Sequence, residues 1–418
     1  MHPLAPEALW AANALRPLRT PQDSAALLVS WNALDAYLDA LAASWNHGRA
    51  VHAVAIKSQP HPSVLRHIVA RGFGLEAATW EEVQLARAAG CPPERLVFDS
   101  PVKRPHEIED CALRSPGMLV NANSLEELER LKPFADRLRL GLRINPMVEV
   151  DAPSVYQVSG DESKFGTPIA ERAAILDAVC AYPIEALHVH SGSSMNDTLG
   201  AVRALTRLRD LAVEANERLA AAGTSRRITT LDVGGGLKPE LLEANGSAPQ
   251  MRAYTEALRA AVPELWSDFA LVTEFGQWTH FHTGYALSDV EYVLSRGDRS
   301  VAYLHLGADF LLRDAYVRPR GIAWLPLRGG QALMDAPVLT DLAGPLCFAG
   351  DYLEKGCMLP PLQEGDEMLL LGTGSNAYAL WSRHTSRSIP ATYGVDFAQR
   401  RLEILSERTN PFIQVLTQ

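Results

Sequence analysis

From Val51 to Thr273 the chain repeats one pattern: a short apolar run, a turn, then a longer stripe of apolar residues at helical spacing. The runs are Val51–Ile56, Gly74–Ala78, Arg95–Phe98, Gly117–Val120, Leu138–Ile144, Ile184–Val189, Ile228–Val233 and Phe269–Thr273. Helical stripes such as Trp80–Ala89, Leu125–Lys132, Ile169–Ala181 and Leu199–Ala222 fall between them. Nearly continuous apolar runs of this length read as strands of a parallel sheet covered on both faces. Eight alternations within roughly 230 residues match the usual size of a closed (β/α)8 barrel. A doubly wound open sheet also alternates, but it seldom uses so many strands, and no Gly-x-Gly-x-x-Gly follows the first one. The pattern predicts a barrel.

The flanks read differently. Residues 1–24 are Pro-rich and expected to be irregular, and Ala25–Ser30 has the composition of a strand. Asn32 is a candidate N-cap, followed by Leu34, Tyr37, Leu38, Leu41 and Trp45 at helical spacing. Beyond Gly284, short β-type runs (Ser288–Val293, Val301–Leu306, Gln331–Met334, Glu367–Leu371, Leu402–Leu405) alternate with Gly, Pro and Asp turns. The expected organisation is an N-terminal segment 1–30 joining the β domain, a barrel over 31–283, and a C-terminal antiparallel β domain over 284–418.

Composition removes several function classes. The 418 residues carry a net charge of -10 with no basic cluster, which argues against nucleic acid or an anionic membrane as partner. No apolar run is long enough to span a bilayer, and the N-terminus lacks a signal-peptide pattern. Five cysteines, an odd number without a CxxC pair or metal-ligand spacing, fit a reduced cytoplasmic protein with no metal site.

Chemistry in a barrel sits at the C-terminal ends of the strands. Those ends supply Lys57 after the first strand, Glu76 in the second, and Arg143 with Asn145 at the fifth. The sixth ends in His188-Val189-His190-Ser191-Gly192-Ser193, the seventh in Asp232-Val233-Gly234-Gly235-Gly236, and the eighth in Glu274-Phe275-Gly276-Gln277. An amine walled by apolar neighbours has the setting for a depressed pKa and Schiff-base formation. Three glycines let backbone N–H groups approach a phosphate, and Ser193 adds a hydroxyl. Each feature alone has an ordinary reading: a solvated lysine, a satisfied core histidine, a tight turn, a salt-bridged carboxylate. Together they suit pyridoxal phosphate, which needs an amine, a phosphate cradle, a flat face and a carboxylate against its ring nitrogen.

The chain resembles the fold-type III, alanine-racemase-like pyridoxal phosphate enzymes, and within them the diaminopimelate and ornithine decarboxylases. The resemblance rests on residues 72–82, Leu142-Arg143-Ile144-Asn145-Pro146, Ser163-Lys164-Phe165-Gly166, His190-Ser191-Gly192-Ser193, Gly234–Gly236 and Glu274–Gln277. In the β domain it rests on Gly344-Pro345-Leu346-Cys347-Phe348-Ala349-Gly350-Asp351 and Asn376-Ala377-Tyr378. It implies that Lys57 carries the cofactor, His190 stacks on its ring, and Glu274 pairs with the ring nitrogen. It also implies that Ser193, Gly234, Gly235, Gly236 and Tyr378 hold the phosphate, with Arg143, Glu76 and Gln277 around the cofactor. Cys347 would be catalytic and reach the cofactor of a neighbouring subunit in a homodimer. Glu76 stands where an aspartate is usual.

Two departures bear on substrate. The resemblance leads one to expect Glu-Pro-Gly-Arg at the eighth strand, where this chain has Phe275 and Gln277. Diaminopimelate decarboxylases usually place an acidic residue after the cysteine, and here it is Phe348. Free distal amines are therefore disfavoured. Arg313, with Arg318 and Arg320 nearby, stands where relatives keep a substrate-carboxylate arginine, and Asp351 completes the candidate substrate set. The combination is similar to decarboxylases of carboxylate siderophore pathways, acting on a citryl-diamino acid such as citryl-diaminopropionate. The alternatives are a diaminopimelate, ornithine or lysine decarboxylase, a racemase on the same fold, and an inactive cofactor-binding regulatory homologue. Roles for His188, His280 and His282 stay open.

Overall fold

The computed structural model describes residues 2–317 and 320–415. It divides into two compact units, one spanning Leu38–Thr279, the other combining the chain through Tyr37 with the chain from His280 onward.

The first unit is a closed barrel of eight parallel strands: β1 (Ala50–Ala55), β2 (Gly74–Ala77), β3 (Leu96–Phe98), β4 (Leu119–Ala122), β5 (Arg139–Asn145), β6 (Ile184–His188), β7 (Thr230–Asp232) and β8 (Ala270–Thr273). Each pairs with its sequence neighbours, and β8 closes on β1 through Leu271–Ala50, Val272–Val51 and Thr273–His52. Ala53, Val97, Leu119, Ala186 and Val272 form one apolar cluster although they come from β1, β3, β4, β6 and β8. Side chains from strands that are not neighbours meet only in the lumen, so this cluster is the packed interior. The connecting helices start where capping chemistry allows. Thr79 Oγ1 accepts from Glu82 N, and Glu107 Oε2 accepts from Arg104 N. The fourth strand begins two residues later than its apolar run, because Gly117 has φ +90° and still belongs to the turn.

In the second unit the long strand Gly284–Arg296 pairs antiparallel with Ala25–Ser30 and with Glu367–Leu371. Its far half pairs with Arg299–Leu304, which continues into a smaller sheet with Val338–Ala343 and Tyr352–Leu359. Two pairings are parallel, Ala25–Ser30 with Thr392–Asp396 and Arg299–Leu304 with Val338–Ala343. Helix Trp31–Trp45 is capped by Ser30, whose Oγ accepts from Ala33 N at 3.0 Å, rather than by Asn32.

The expected irregular N-terminus is instead helical over Ala5–Leu15. Pro6 lies in the first turn, where its missing N–H costs nothing. Ala5, Ala8, Ala11, Ala12 and Leu15 pack on Leu28, Tyr285 and Leu369. Proline here starts a helix rather than marking irregular chain.

Candidate active site

Lys57 sits in a single 3-10 turn, Ile56–Ser58, at the C-terminal end of β1. Gly276 lets the end of β8 close on that turn, since a Cβ there would lie 2.6 Å from Ser58 Oγ and 2.8 Å from Ala55 O. Glu76 is paired in register with Ala55, and its Oε2 accepts from Lys57 Nζ at 2.7 Å. The sequence predicts a depressed lysine pKa. The structure corrects this. Burial does oppose the ammonium, but Glu76, Glu274 and Asp99 outweigh it and the pKa rises.

Lys57, Arg143, His190, Ser193 and Glu274 line one cavity of about 240 Å³, with Asp99, Phe165, Val158, Pro101 and Ala78. Arg143 Nη1 donates to Asp99 Oδ2 at 3.1 Å, and its guanidinium stacks on Phe165, 4.5 Å from the ring centroid. Burial would raise the Asp99 pKa, but His188, Arg143 and the nearby lysines hold it below the usual carboxylate range.

The glycine run does more than turn the chain. Gly234 has φ +64° and a Cβ on it would lie 2.7 Å from Val189 O; one on Gly236, at φ +108°, would lie 1.9 Å from Gly192 O. The run is wedged against the ends of β6 and β8, which only glycine permits. Its N–H groups are partly used: Gly234 N donates to Asp232 Oδ1 at 3.0 Å, and Gly235 N donates to His190 Nδ1 at 3.2 Å. An Nδ1 that accepts carries no proton, so the His190 ring is neutral. Burial, then the charges of Arg143 and Lys57, push its pKa well below the usual value.

Glu274 is buried, and its Oε1 has no hydrogen-bond partner. Burial, then the carboxylates of Asp232, Glu76 and Asp99, drive its pKa well above the carboxylate range. A buried acid so placed is stabilised as an anion only by a cation set against it. The protonated ring nitrogen of pyridoxal phosphate is such a cation. With the amine, the glycine run and the flat histidine on the same rim, the residues present fit that cofactor.

Gln277 does not line the cavity; its Nε2 donates to Ser194 Oγ at 2.9 Å. Five expected site residues lie in the other unit. Tyr378 opens the 3-10 turn Tyr378–Leu380, and Arg313 lies on the short helix Leu312–Tyr316. Cys347 is an exposed free thiol. Phe348 is 39% exposed, stacked on Tyr316 at 5.5 Å and edge-on to His384 at 6.2 Å. Asp351 is buried, and its two oxygens accept from Ala308 N and Leu346 N, each at 2.6 Å. It shapes the loop, with both of its oxygens engaged by backbone amides. Arg320 is committed to Asp314 and Ser375 O, and Arg318 lies outside the described residues. His280 and His282 belong to this unit too, where burial lowers both to about 3.

Asp99 and Asn121, which the strand-end pattern does not single out, gather with His188 and Asp232 along the floor of the cavity. One signal was available: His188 and His190 are two residues apart at a strand end and so point the same way.

The model of the pyridoxal-dependent decarboxylase family's pyridoxal-binding domain matches residues 35–279. The chain is 30% identical to the diaminopimelate decarboxylase of Pseudomonas aeruginosa over 388 residues, 89% of this chain and 88% of that one. It is 26% identical to the Aquifex aeolicus diaminopimelate decarboxylase, covering 80% and 78%. Among solved structures, the Helicobacter pylori diaminopimelate decarboxylase complexed with L-lysine superposes with a TM-score of 0.83 at 20% identity, covering 97% and 98%. That likeness bears on the fold, an alanine-racemase-like barrel with a separate β domain. Among the described residues no helix is long and apolar enough to cross a membrane.

Proposed function

Because the chain belongs to the pyridoxal-dependent decarboxylase family, we propose that it removes the α-carboxylate of an amino acid whose far amine is already acylated. A citryl-diamino acid of carboxylate siderophore assembly, such as citryl-diaminopropionate, is the leading case. That the chain is an amino-acid decarboxylase using pyridoxal phosphate follows from the family. The acylated substrate is the finer step, and Phe348 carries it. An ammonium at the far end of the substrate needs an acceptor or an anion, and Phe348 with Tyr316 and His384 offers an aromatic surface instead.

Pyridoxal phosphate, when bound, supplies an aldehyde that captures amines and a ring that takes up the electron pair left as CO2 departs. The chain's residues do the rest. Lys57 provides the amine at the strand end. Glu274, as an anion, keeps the ring nitrogen protonated, and neutral His190 presents a flat face. Ser193, Gly236 and Tyr378 bind the phosphate group, and Arg143 and Phe165 wall the cavity. Arg313 takes a substrate carboxylate. Cys347 Sγ holds the proton that replaces CO2 on the α-carbon, reaching the site from a second copy of the chain.

A second reading, a diaminopimelate decarboxylase, is favoured by the 30% identity over 89% of the chain. The test is CO2 release by cofactor-loaded protein from citryl-diaminopropionate, meso-diaminopimelate, ornithine and lysine. Preference for the conjugate supports the first reading, and preference for meso-diaminopimelate replaces it with the second.

A further inference from the structure

Along and under the cavity floor, six barrel strands contribute polar side chains to one buried belt, of which Asp99, Arg143 and Glu274 also line the cavity. Arg143 from β5 meets Asp99, which follows β3, and the same Asp99 Oδ2 lies 3.6 Å from His188 Nε2 on β6. The other ring nitrogen, Nδ1, lies 3.0 Å from Asp232 Oδ2 on β7 and 3.5 Å from Glu274 Oε1 beyond β8. Asn121 Nδ2 on β4 lies 3.1 Å from the same Asp232 Oδ2 and 3.0 Å from His188 Nδ1, so the amide and the ring nitrogen converge on one carboxylate oxygen, which can only accept. Room for that amide comes from Gly141, where a Cβ would lie 2.0 Å from Asn121 Oδ1. His188, Asn121 and Asp232 are wholly shielded from solvent.

Both nitrogens of His188 therefore have a carboxylate oxygen beside them, Nδ1 within hydrogen-bond distance and next to the Asn121 amide, Nε2 at 3.6 Å and without a hydrogen bond. A neutral ring would turn one bare lone pair toward an anion in a place shielded from bulk solvent. Among the described residues, the basic groups within 4 Å of Asp232 and Glu274 are the two histidines, and His190 Nδ1 is already an acceptor. We propose that His188 is a positioning residue, an imidazole carrying hydrogens on both nitrogens, which holds Glu274 from below and ties it through Asp99 to Arg143 across the cavity. The carboxylate under the ring nitrogen and the guanidinium on the wall are then set by one shared group. Glu274 is kept ionised and fixed in direction without being solvated. The inference rests on the reading of Glu274 as the partner of the cofactor ring nitrogen, but not on which amino acid is decarboxylated.

The experiment is proton-coupled 15N NMR of histidine-labelled holoenzyme at pH 7.5, with the His188 signals identified by their loss in His188→Asn. Two N–H couplings on that ring are expected, and a bare ring nitrogen overturns the proposal. This readout is independent of substrate, so it can fail while the proposed reaction stands, and the reverse. In parallel, His188→Asn should lower kcat and weaken cofactor binding, each by about tenfold or more, every ~1.4 kcal/mol of lost anion stabilisation being about a factor of ten. KM should change little. His188→Asn/Asp99→Asn removes an anion along with the cation, so it should regain part of the lost kcat and cofactor affinity. If thermal stability and activity fall together in the single variant, and the double variant regains neither, His188 only supports the fold and the proposal is wrong.

Discussion

Lys57 Nζ donates to Glu76 Oε2 at 2.7 Å, the two residues arriving from adjacent strands paired at Ala55 and Glu76. The carboxylate is buried while the lysine side chain is half exposed. A charged ammonium is a poor nucleophile, so the pair holds Lys57 protonated until something displaces it. Removing the carboxylate should lower the lysine's pKa. Cofactor-free Glu76→Gln should then react with pyridoxal phosphate at pH 8 about tenfold faster for each unit of pKa lost, followed by absorbance and by borohydride fixation on Lys57. Unchanged rates would remove Glu76 from control of the amine.

Glu274 gains its role only as an anion beneath a cation. In Glu274→Ala the cavity keeps Lys57, the glycine run and Ser193, so pyridoxal phosphate should still bind. CO2 release should drop by about 10²-fold or more, as when other preorganised electrostatic partners are deleted. Titrating cofactor by fluorescence beside a CO2 assay separates the two effects. Full activity in this variant would refute the assignment.

Much of this site could be read along the chain because a barrel brings strand ends together whatever the helices between them do. Lys57, Arg143, His190, Ser193 and Glu274 all stand at or just beyond the C-terminal ends of apolar runs, and they line one cavity. The belt beneath could not be read this way, because its members matter only through contacts at long separation, Asn121 with Asp232 and Asp99 with Arg143. A lone buried Asp or Asn at a strand end looks the same whether it caps a loop or supports a site. The lysine's raised pKa was also hidden, since it depends on which side chain the neighbouring strand presents. Asp351, the last residue of the cysteine segment, was equally opaque, because only the folded loop shows its oxygens serving two backbone amides of its own unit.

Phe348 gives a direct test of substrate class. Phe348→Glu restores an anion where an incoming ammonium would otherwise lose its hydration without replacement. A hydrogen bond to a charged group is worth about 1.5–3 kcal/mol, so kcat/KM for meso-diaminopimelate should rise about tenfold or more. The same change should lower kcat/KM for the citryl conjugate, whose carboxylates it would repel. Parallel changes for both substrates would show that Phe348 does not face the substrate's far end.

The β-rich unit carries its own pH dependence. Glu7, on the N-terminal helix, is buried and accepts from Ser30 Oγ at 3.0 Å and Tyr285 Oη at 3.2 Å. Burial raises its pKa to about 7 although both hydrogen bonds oppose the shift. The folded value thus lies above the unfolded one. Between about pH 4.5 and 7 the folded state keeps a proton that the unfolded state has released, so rising pH drains stability through that window. Below it the contribution is complete, and above it about 3 kcal/mol is gone. Glu7→Gln accepts from one of these hydroxyls, donates to the other as the protonated acid does, and cannot ionise. Its melting temperature should match the wild type near pH 4.5 and exceed it increasingly up to pH 7 to 8. Glu82, also pushed to about 7 by burial, titrates in both proteins and cancels in the difference. Parallel melting curves across this range would show that Glu7 is charged in the folded protein, with its burial compensated by a group other than Ser30 and Tyr285.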